Sequence, residues 1–388
     1  MQFLRTGRRS SSVVIAALGT LALTAAGCSS NSADTPYGDR ASDNAATADG
    51  RAGVSDEDNK TLDDLYAAAK DGGQSSVNLY SAYAPTDPNT GIGIALKKFE
   101  DTFPGITVKS TLISGAELIS RTDGETASGN NQGDLVLSGP SDIGYLADNN
   151  YLDAFEPVTA RDVDSEYSHP DGLYTIPFQS LFGIVYNTDA VTADEVPDSL
   201  DDLLDPEWND RVTFAQPNGF GPSDFSITTL VEAEAIDEDD LQRISDAIPV
   251  DNRSASAPDA VTAVAEGRYD LALWGPSQVA ATQATLGAPI SVGSIPDLQV
   301  LNGPGLGLLK NAPSPDAAKL LETWLFTPTA QKLIAEGSFN YGTVPGTPTP
   351  PGFPEVGDYD LPTIPAGEFS EKISALRPET ERIFGPAI

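Results

Sequence analysis

Serines, glycines and a few aromatic rings recur at the ends of short apolar runs in this chain, a pattern suited to holding a small polar molecule. Ser81 and Tyr83 follow the run 77–80, Ser114 and Gly115 follow 106–112, and Ser138 and Gly139 follow 135–137. Gln179 and Ser180 come next, then Asn218, Phe220 and Ser223, then Arg253 and Ser254, and finally Trp274 and Ser277. Hydroxyls and backbone N–H groups donate to phosphonate or carboxylate oxygens, and an arginine pairs with the same anions. The rings of Tyr83, Phe220 and Trp274 offer a different chemistry, stacking on a flat organic cation. Each residue also has a plainer use. Ser114, Ser138 and Ser223 stand where helices begin and suit N-caps. Gly219 and Gly221 permit a tight turn. Trp274 ends an apolar strand and suits a core anchor. Arg253 has enough carboxylates in the sequence around it to be a surface ion pair.

The parts of a catalyst are scarce. The one histidine, His169, lies in Ser168-His169-Pro170-Asp171-Gly172, a turn composition that puts the ring at the surface. No metal-ligand spacing of histidines and no Gly-x-Ser-x-Gly elbow occurs, and the single cysteine, Cys28, lies next to the leader. The expectation is a binding protein that does no chemistry on its ligand, with no cofactor and no metal. The competing enzyme is a secreted hydrolase with two carboxylates facing each other across a cleft.

Strands and helices must carry these loops, and the apolar spacing predicts them in alternation. Runs at 77–80, 106–112 and 135–137 read as strands, and Ile92, Ala95, Leu96, Phe99 and Phe103 recur at helical spacing between the first two. Helices follow around 117–127 and from 141. The rhythm returns with strands at 182–186, 211–215 and 269–274 and a helix at 257–265, then helices at 315–326 and 328–337, a proline-rich passage and a closing helix. Strict alternation implies parallel pairing, hence an α/β protein with two lobes. In such sheets ligands bind beyond the carboxyl ends of the strands, where the loops above lie.

Length and charge agree. A chain of 388 residues carries 57 acidic against 22 basic residues, a net charge of −35, so a nucleic-acid backbone is an unsuitable partner. With one cysteine no intrachain disulfide can form, and the core must hold the fold as a monomer. Arg5, Arg8 and Arg9, then the apolar stretch 13–26, then small residues up to Cys28 form an export leader over residues 1–27. Ala25-Ala26-Gly27-Cys28 resembles a bacterial lipobox, although Ala25 stands where leucine is usual; the resemblance implies that Cys28 is acylated and holds the protein on the outer face of the cytoplasmic membrane. Arg8-Arg9-Ser10 fits either a twin-arginine signal or a plain basic region. Residues 28–60 are almost free of apolar side chains and read as an acylated cysteine followed by a disordered tether.

Several motifs in order resemble family-1 extracellular solute-binding proteins of ABC importers, the branch that binds ferric iron, thiamine or aminoethylphosphonate. They are Leu79-Tyr80-Ser81, Gly115-Ala116-Glu117-Leu118, Gly133-Asp134-Leu135-Val136, Gly183-Ile184-Val185-Tyr186-Asn187-Thr188, the stretch 199–208 ending in Pro206-Glu207-Trp208, and Ala265-Glu266-Gly267-Arg268-Tyr269-Asp270. The resemblance implies a two-lobed type II periplasmic-binding-protein fold, with 61–177 plus 300–388 as one lobe and 178–299 as the other. Its crossings fall near 178–180 and 295–301. It also implies delivery of the solute to an ABC permease, or a sensor or adhesion role on the same fold. Direct ferric binders of the family carry a tyrosine pair where this chain has Trp274-Gly275-Pro276-Ser277-Gln278, so the implied solute is small, polar and organic: a thiamine-like cation or a phosphonate or carboxylate anion.

Overall fold

The computed structural model describes residues 37, 49–83, 85, 89–217, 221–355 and 361–386. Three sites expected from the sequence, Cys28, Asn218 and Phe220, lie outside the described residues, as does Gly219.

A first sheet is built from β1 (Ser76–Ser81), β2 (Thr107–Leu112), β3 (Leu135–Ser138), β4 (Leu152–Asp153) and β10 (Gly305–Leu309), in the order β2-β1-β3-β10-β4. β1 pairs in parallel with both β2 and β3, which requires helical crossovers. These are α2 (Gly93–Thr102), between β1 and β2, and α3 (Gly115–Ser128), between β2 and β3. α4 (Pro140–Asp148) starts two residues past β3, with proline at its first position, where a missing N–H costs nothing. β3 is buried along its whole length, as a strand covered on both faces must be.

The second sheet is organised around β5 (Phe178–Asn187), whose ten residues are all buried. It pairs antiparallel with β7 (Leu271–Pro276), β8 (Ile290–Val292), β9 (Val300–Asn302) and β11 (Tyr341–Gly342). β6 (Val212–Thr213) runs parallel to β7. Helices α5 (Leu200–Leu203), α6 (Pro222–Glu232), α7 (Glu238–Ala247), α8 (Ala257–Ala265) and α9 (Ser277–Thr285) belong to this half of the chain. α10 (Pro315–Leu325) and α11 (Pro328–Ser338) return to the first half, where α10 packs on α1 (Asp56–Asp71) and α11 on α2. The last helix, α12 (Phe369–Phe384), packs on α4 and also on α6 and α7.

Two expectations need correction. Alternation predicted parallel sheets, but both are mixed, because β10 enters the first sheet from the second and pairs antiparallel with β3, while β5 meets its neighbours antiparallel. The tether expected over 28–60 is structured from Asp49 onward, with α1 already begun at Asp56. Tertiary partners account for this order. The Trp324 indole N–H donates to the Gly50 carbonyl at 2.8 Å, and the Thr329 hydroxyl donates to the Asp49 carbonyl at 3.0 Å. Ser55 then caps α1 by accepting from the Asp58 amide, a signal that was present in the sequence.

Candidate functional site

Strand register brings the carboxyl ends of the two sheets to one place. Ser138, the last residue of β3, is paired with Gly305 at the start of β10. Three residues earlier in the chain, Asn302 ends β9 and is paired with Ser180 of β5. Two residues along β5, Phe182 is paired with Pro276, and Ser277 opens α9 immediately after it. Ser138, Asn302, Ser180 and Ser277 therefore sit on one continuous path across the two crossing segments. β6 is parallel to β7, so the loop leading to α6 leaves from the same edge as α9.

On the first sheet the key group is one that the sequence reading passed over. Asp142, the third residue of α4, is 3 % exposed and turns its carboxylate back under the strand ends. Its Oδ2 accepts from the Ser138 hydroxyl at 2.6 Å and from the Gly115 backbone N–H at 2.9 Å. Its Oδ1 is buried without a partner. Burial raises the Asp142 pKa above the ordinary carboxylate range, and the two donors pull it part of the way back. Tyr83 stands close enough for that carboxylate to act on its phenol, which burial in the first place and the Asp142 charge in the second push up. The Tyr83 ring is half-buried and meets Phe178 edge to face at 5.6 Å. Gly139 and Gly115 border open space, since a side chain on either would meet nothing within 4 Å. The signal for Asp142 was its spacing: a serine ending a strand and an acid four residues on, at the third position of the following helix.

The serines do not serve as caps. Ser114 is exposed and its side chain makes no capping bond to α3. Gly139, not Ser138, occupies the N-cap of α4, and Gly221 occupies that of α6. Ser223 is buried at the second position of α6 and its Oγ has no partner; Ser277, at the first position of α9, is in the same state. Asn302 Oδ1 is a third buried, unpartnered atom on this path. Buried polar atoms without a partner cost about 1–3 kcal/mol each, and these three lie at a strand end or a helix N-terminus.

Other expected residues have structural partners. The Ser81 Oγ accepts from the Tyr83 backbone N–H at 2.9 Å and shapes the loop that carries the tyrosine. Ser180 donates to Asn340 at 2.5 Å, and Gln179 is buried opposite Tyr341 of β11. Ser254 lies beside β6, its backbone bonded to Phe214 and Gln216 and its hydroxyl 3.2 Å from that of Thr213. Trp274 is fully buried, edge to face with Phe214 at 5.7 Å, and its indole N–H is unpartnered. It also holds a left-handed φ of 51°, costly for a bulky residue, in the bulge where β7 slips against β5. His169 is a half-buried turn residue whose Nδ1 accepts from the Asp171 amide.

Arg253 stands apart from the expected roles. Its Nε donates to the Ile248 carbonyl, one terminal nitrogen donates to Gln216 Oε1 and the Phe384 carbonyl, and the other donates to the Ser245 carbonyl and hydroxyl, all at 2.8–3.0 Å. Ile248 and Ser245 belong to the C-terminal end of α7, and Phe384 is the last residue of α12. The guanidinium thus satisfies the free carbonyls of two helix ends at their negative poles. Neither a surface ion pair nor an anion contact is left to it: its five N–H groups are all committed inside the protein.

Two α/β sheets, paired crossings between them and a polar site at the strand ends define a two-lobed binding protein. The chain belongs to the bacterial extracellular solute-binding protein family, whose family model matches residues 95–355. It is 27 % identical over 259 residues, 61 % of this chain and 72 % of the relative, to iron uptake protein A2 of Synechocystis sp.. Its fold is similar to that of iron-bound HitA from Pseudomonas aeruginosa, with a TM-score of 0.64, 21 % identity, and 79 % of this chain and 98 % of that one covered. It is equally similar to AfuA from Actinobacillus pleuropneumoniae, solved with fructose-6-phosphate, with a TM-score of 0.65, 17 % identity, and 80 % and 98 % covered. The function is capture of a small solute for an ABC importer, and the family is exported.

Proposed function

We propose that the solute is a small polar organic molecule that presents a hydrogen-bond-donating, cationic group to Asp142 and accepting oxygens to Ser223 and Ser277. The observation that carries this reading is the buried, unpartnered Oδ1 of Asp142 beside Tyr83. A carboxylate in that position repels an anion and rewards a donor. Withdrawal of Arg253 into the helix ends removes the cation on which a purely anionic ligand would have depended. The hydroxyls at the starts of α6 and α9 favour acceptor oxygens at the other end of the molecule. At the segment where the family's direct ferric binders carry a tyrosine pair, this chain has Trp274-Gly275-Pro276-Ser277-Gln278, which favours an organic solute over bare ferric iron.

Native mass spectrometry of protein purified without denaturation tests the proposal. A retained organic mass with an amine or quaternary nitrogen supports it. Retained or titratable ferric iron with no organic mass overturns it. Anchoring through Cys28 belongs to the same reading: Cys28→Ser should move the protein from the membrane fraction to the soluble one, and mature wild-type protein with an unmodified thiol would refute the anchor.

A further inference from the structure

Tyr37 lies in the stretch where the sequence offers no core-forming segment, yet it is 3 % exposed. Its hydroxyl accepts from the Val292 backbone N–H at 3.1 Å and lies 3.2 Å from Ser291 Oγ. The amide it takes belongs to β8, whose neighbouring Gly293 N–H already donates to Ile184 of β5, so by alternation the Val292 N–H points to the outer edge of the sheet. An edge amide of this kind needs a partner or solvent, and Tyr37 supplies it. The ring fills a space between Phe339, at 5.9 Å edge to face, and Phe353, at 5.7 Å. Burial also raises the Tyr37 pKa, so the phenol stays protonated and able to bond both ways.

These partners come from different halves of the fold. β8 is part of the second sheet. Phe339 ends α11, which packs on α2 beneath the first sheet, with Gly337 so close to Ile94 that a side chain there would meet it at 2.9 Å. Phe353 in turn rests on Tyr341 of β11, beside the start of β5. A second contact of the N-terminal region, Gly50 under Trp324, fixes it to the first half as well. We infer that Tyr37 is a latch: docked, it ties the end of α11 to the edge of the second sheet, and so couples the N-terminal segment to the relative movement of the two lobes.

The test uses the exported, ligand-free protein and two variants, Tyr37→Ala and Tyr37→Phe, with circular dichroism to show that each is folded. Hydrogen exchange at the Val292 amide reads docking, and small-angle scattering with exchange at 339–342 reads lobe coupling. Tyr37→Ala should speed Val292 exchange by about tenfold or more, increase exchange at 339–342 and broaden the distance distribution. Tyr37→Phe keeps the ring, so it should speed Val292 exchange alone. A Val292 amide still protected in Tyr37→Ala overturns the docking. Faster Val292 exchange in Tyr37→Ala with scattering and 339–342 unchanged overturns the latch.

Discussion

Replacing Arg253 by alanine separates its structural role from any role in the ligand site. The side chain makes five hydrogen bonds, three of them to main-chain carbonyls at the ends of α7 and α12, and lies over the rings of Phe214 and Phe384 at 5.4 and 5.3 Å. A hydrogen bond from a charged donor contributes about 1.5–3 kcal/mol, and a buried acceptor left unpaired costs about 1–3 kcal/mol. The bonds share one guanidinium and do not add, and Gln216 Nε2 still reaches the Phe384 carbonyl at 2.9 Å after the change. Loss of one member of such a buried set costs about 3–5 kcal/mol, a fall in Tm of roughly 6–15 °C for a chain of this size. Arg253→Lys should recover only part of it, since an ammonium cannot reach two helix ends at once. Urea unfolding with hydrogen exchange at 380–386 is the assay: stability falls, the C-terminal end of α12 exchanges faster, and the solute affinity of the folded fraction holds. Unchanged stability together with lost binding would refute the argument and return Arg253 to the ligand site.

The remaining expectations concern the carboxylates and the unpartnered hydroxyls. Because burial holds the Asp142 pKa above the usual range, a cationic solute must wait for the carboxylate to ionise, so affinity should rise with pH through that raised value and then level off; Asp142→Asn should weaken binding about ten- to hundredfold and abolish the pH dependence, whereas an affinity flat in pH for the wild type refutes the contact. Glu322 is fully buried with both oxygens unpartnered, and burial holds its pKa well above normal. The folded state therefore keeps a proton that the unfolded chain has released, and its contribution to stability is lost as pH rises from the ordinary glutamate range through the raised value. Glu322→Gln should flatten that fall in urea titrations at several pH values, and an identical slope in wild type and variant refutes it. Ser223→Ala and Ser277→Ala remove hydroxyls that bond nothing in the protein, so each should leave the ligand-free Tm unchanged or slightly higher while weakening binding several-fold by calorimetry; a Tm loss with intact affinity contradicts their place in the site.

Local pattern set much of this fold. Buried Val77 and Leu79 in β1, the wholly apolar start of β3, and the helical spacing of Ile92, Ala95, Leu96 and Phe99 announce their elements through periods of two and 3.6, because each side chain answers to its own backbone geometry. The loops at the strand ends were legible for the same reason. Pairing direction was not, since β10 and β5 obtain their neighbours from segments more than eighty residues away in sequence, a fact that no window along the chain contains.

The same division runs through the site. Sequence alone located Ser138, Ser223 and Ser277, because strand ends and helix starts are local events. Whether a hydroxyl there is spent or free depends on what lies across the fold: Ser138 is occupied by Asp142, while Ser223 and Ser277 have no partner. Arg253 shows the strongest divergence. Its sequence neighbours made it a loop cation, but its charge is consumed by Phe384, 131 residues away, and by the end of α7. Tyr37 is the converse, one ring in a polar stretch that only Val292, Phe339 and Phe353 could order. The sequence determined which chemical groups stand at the ends of which elements, through short-range sterics and hydrophobic period. Which of those groups keep a free valence for a ligand was decided by tertiary contacts, since a hydrogen bond is satisfied in space and not along the chain.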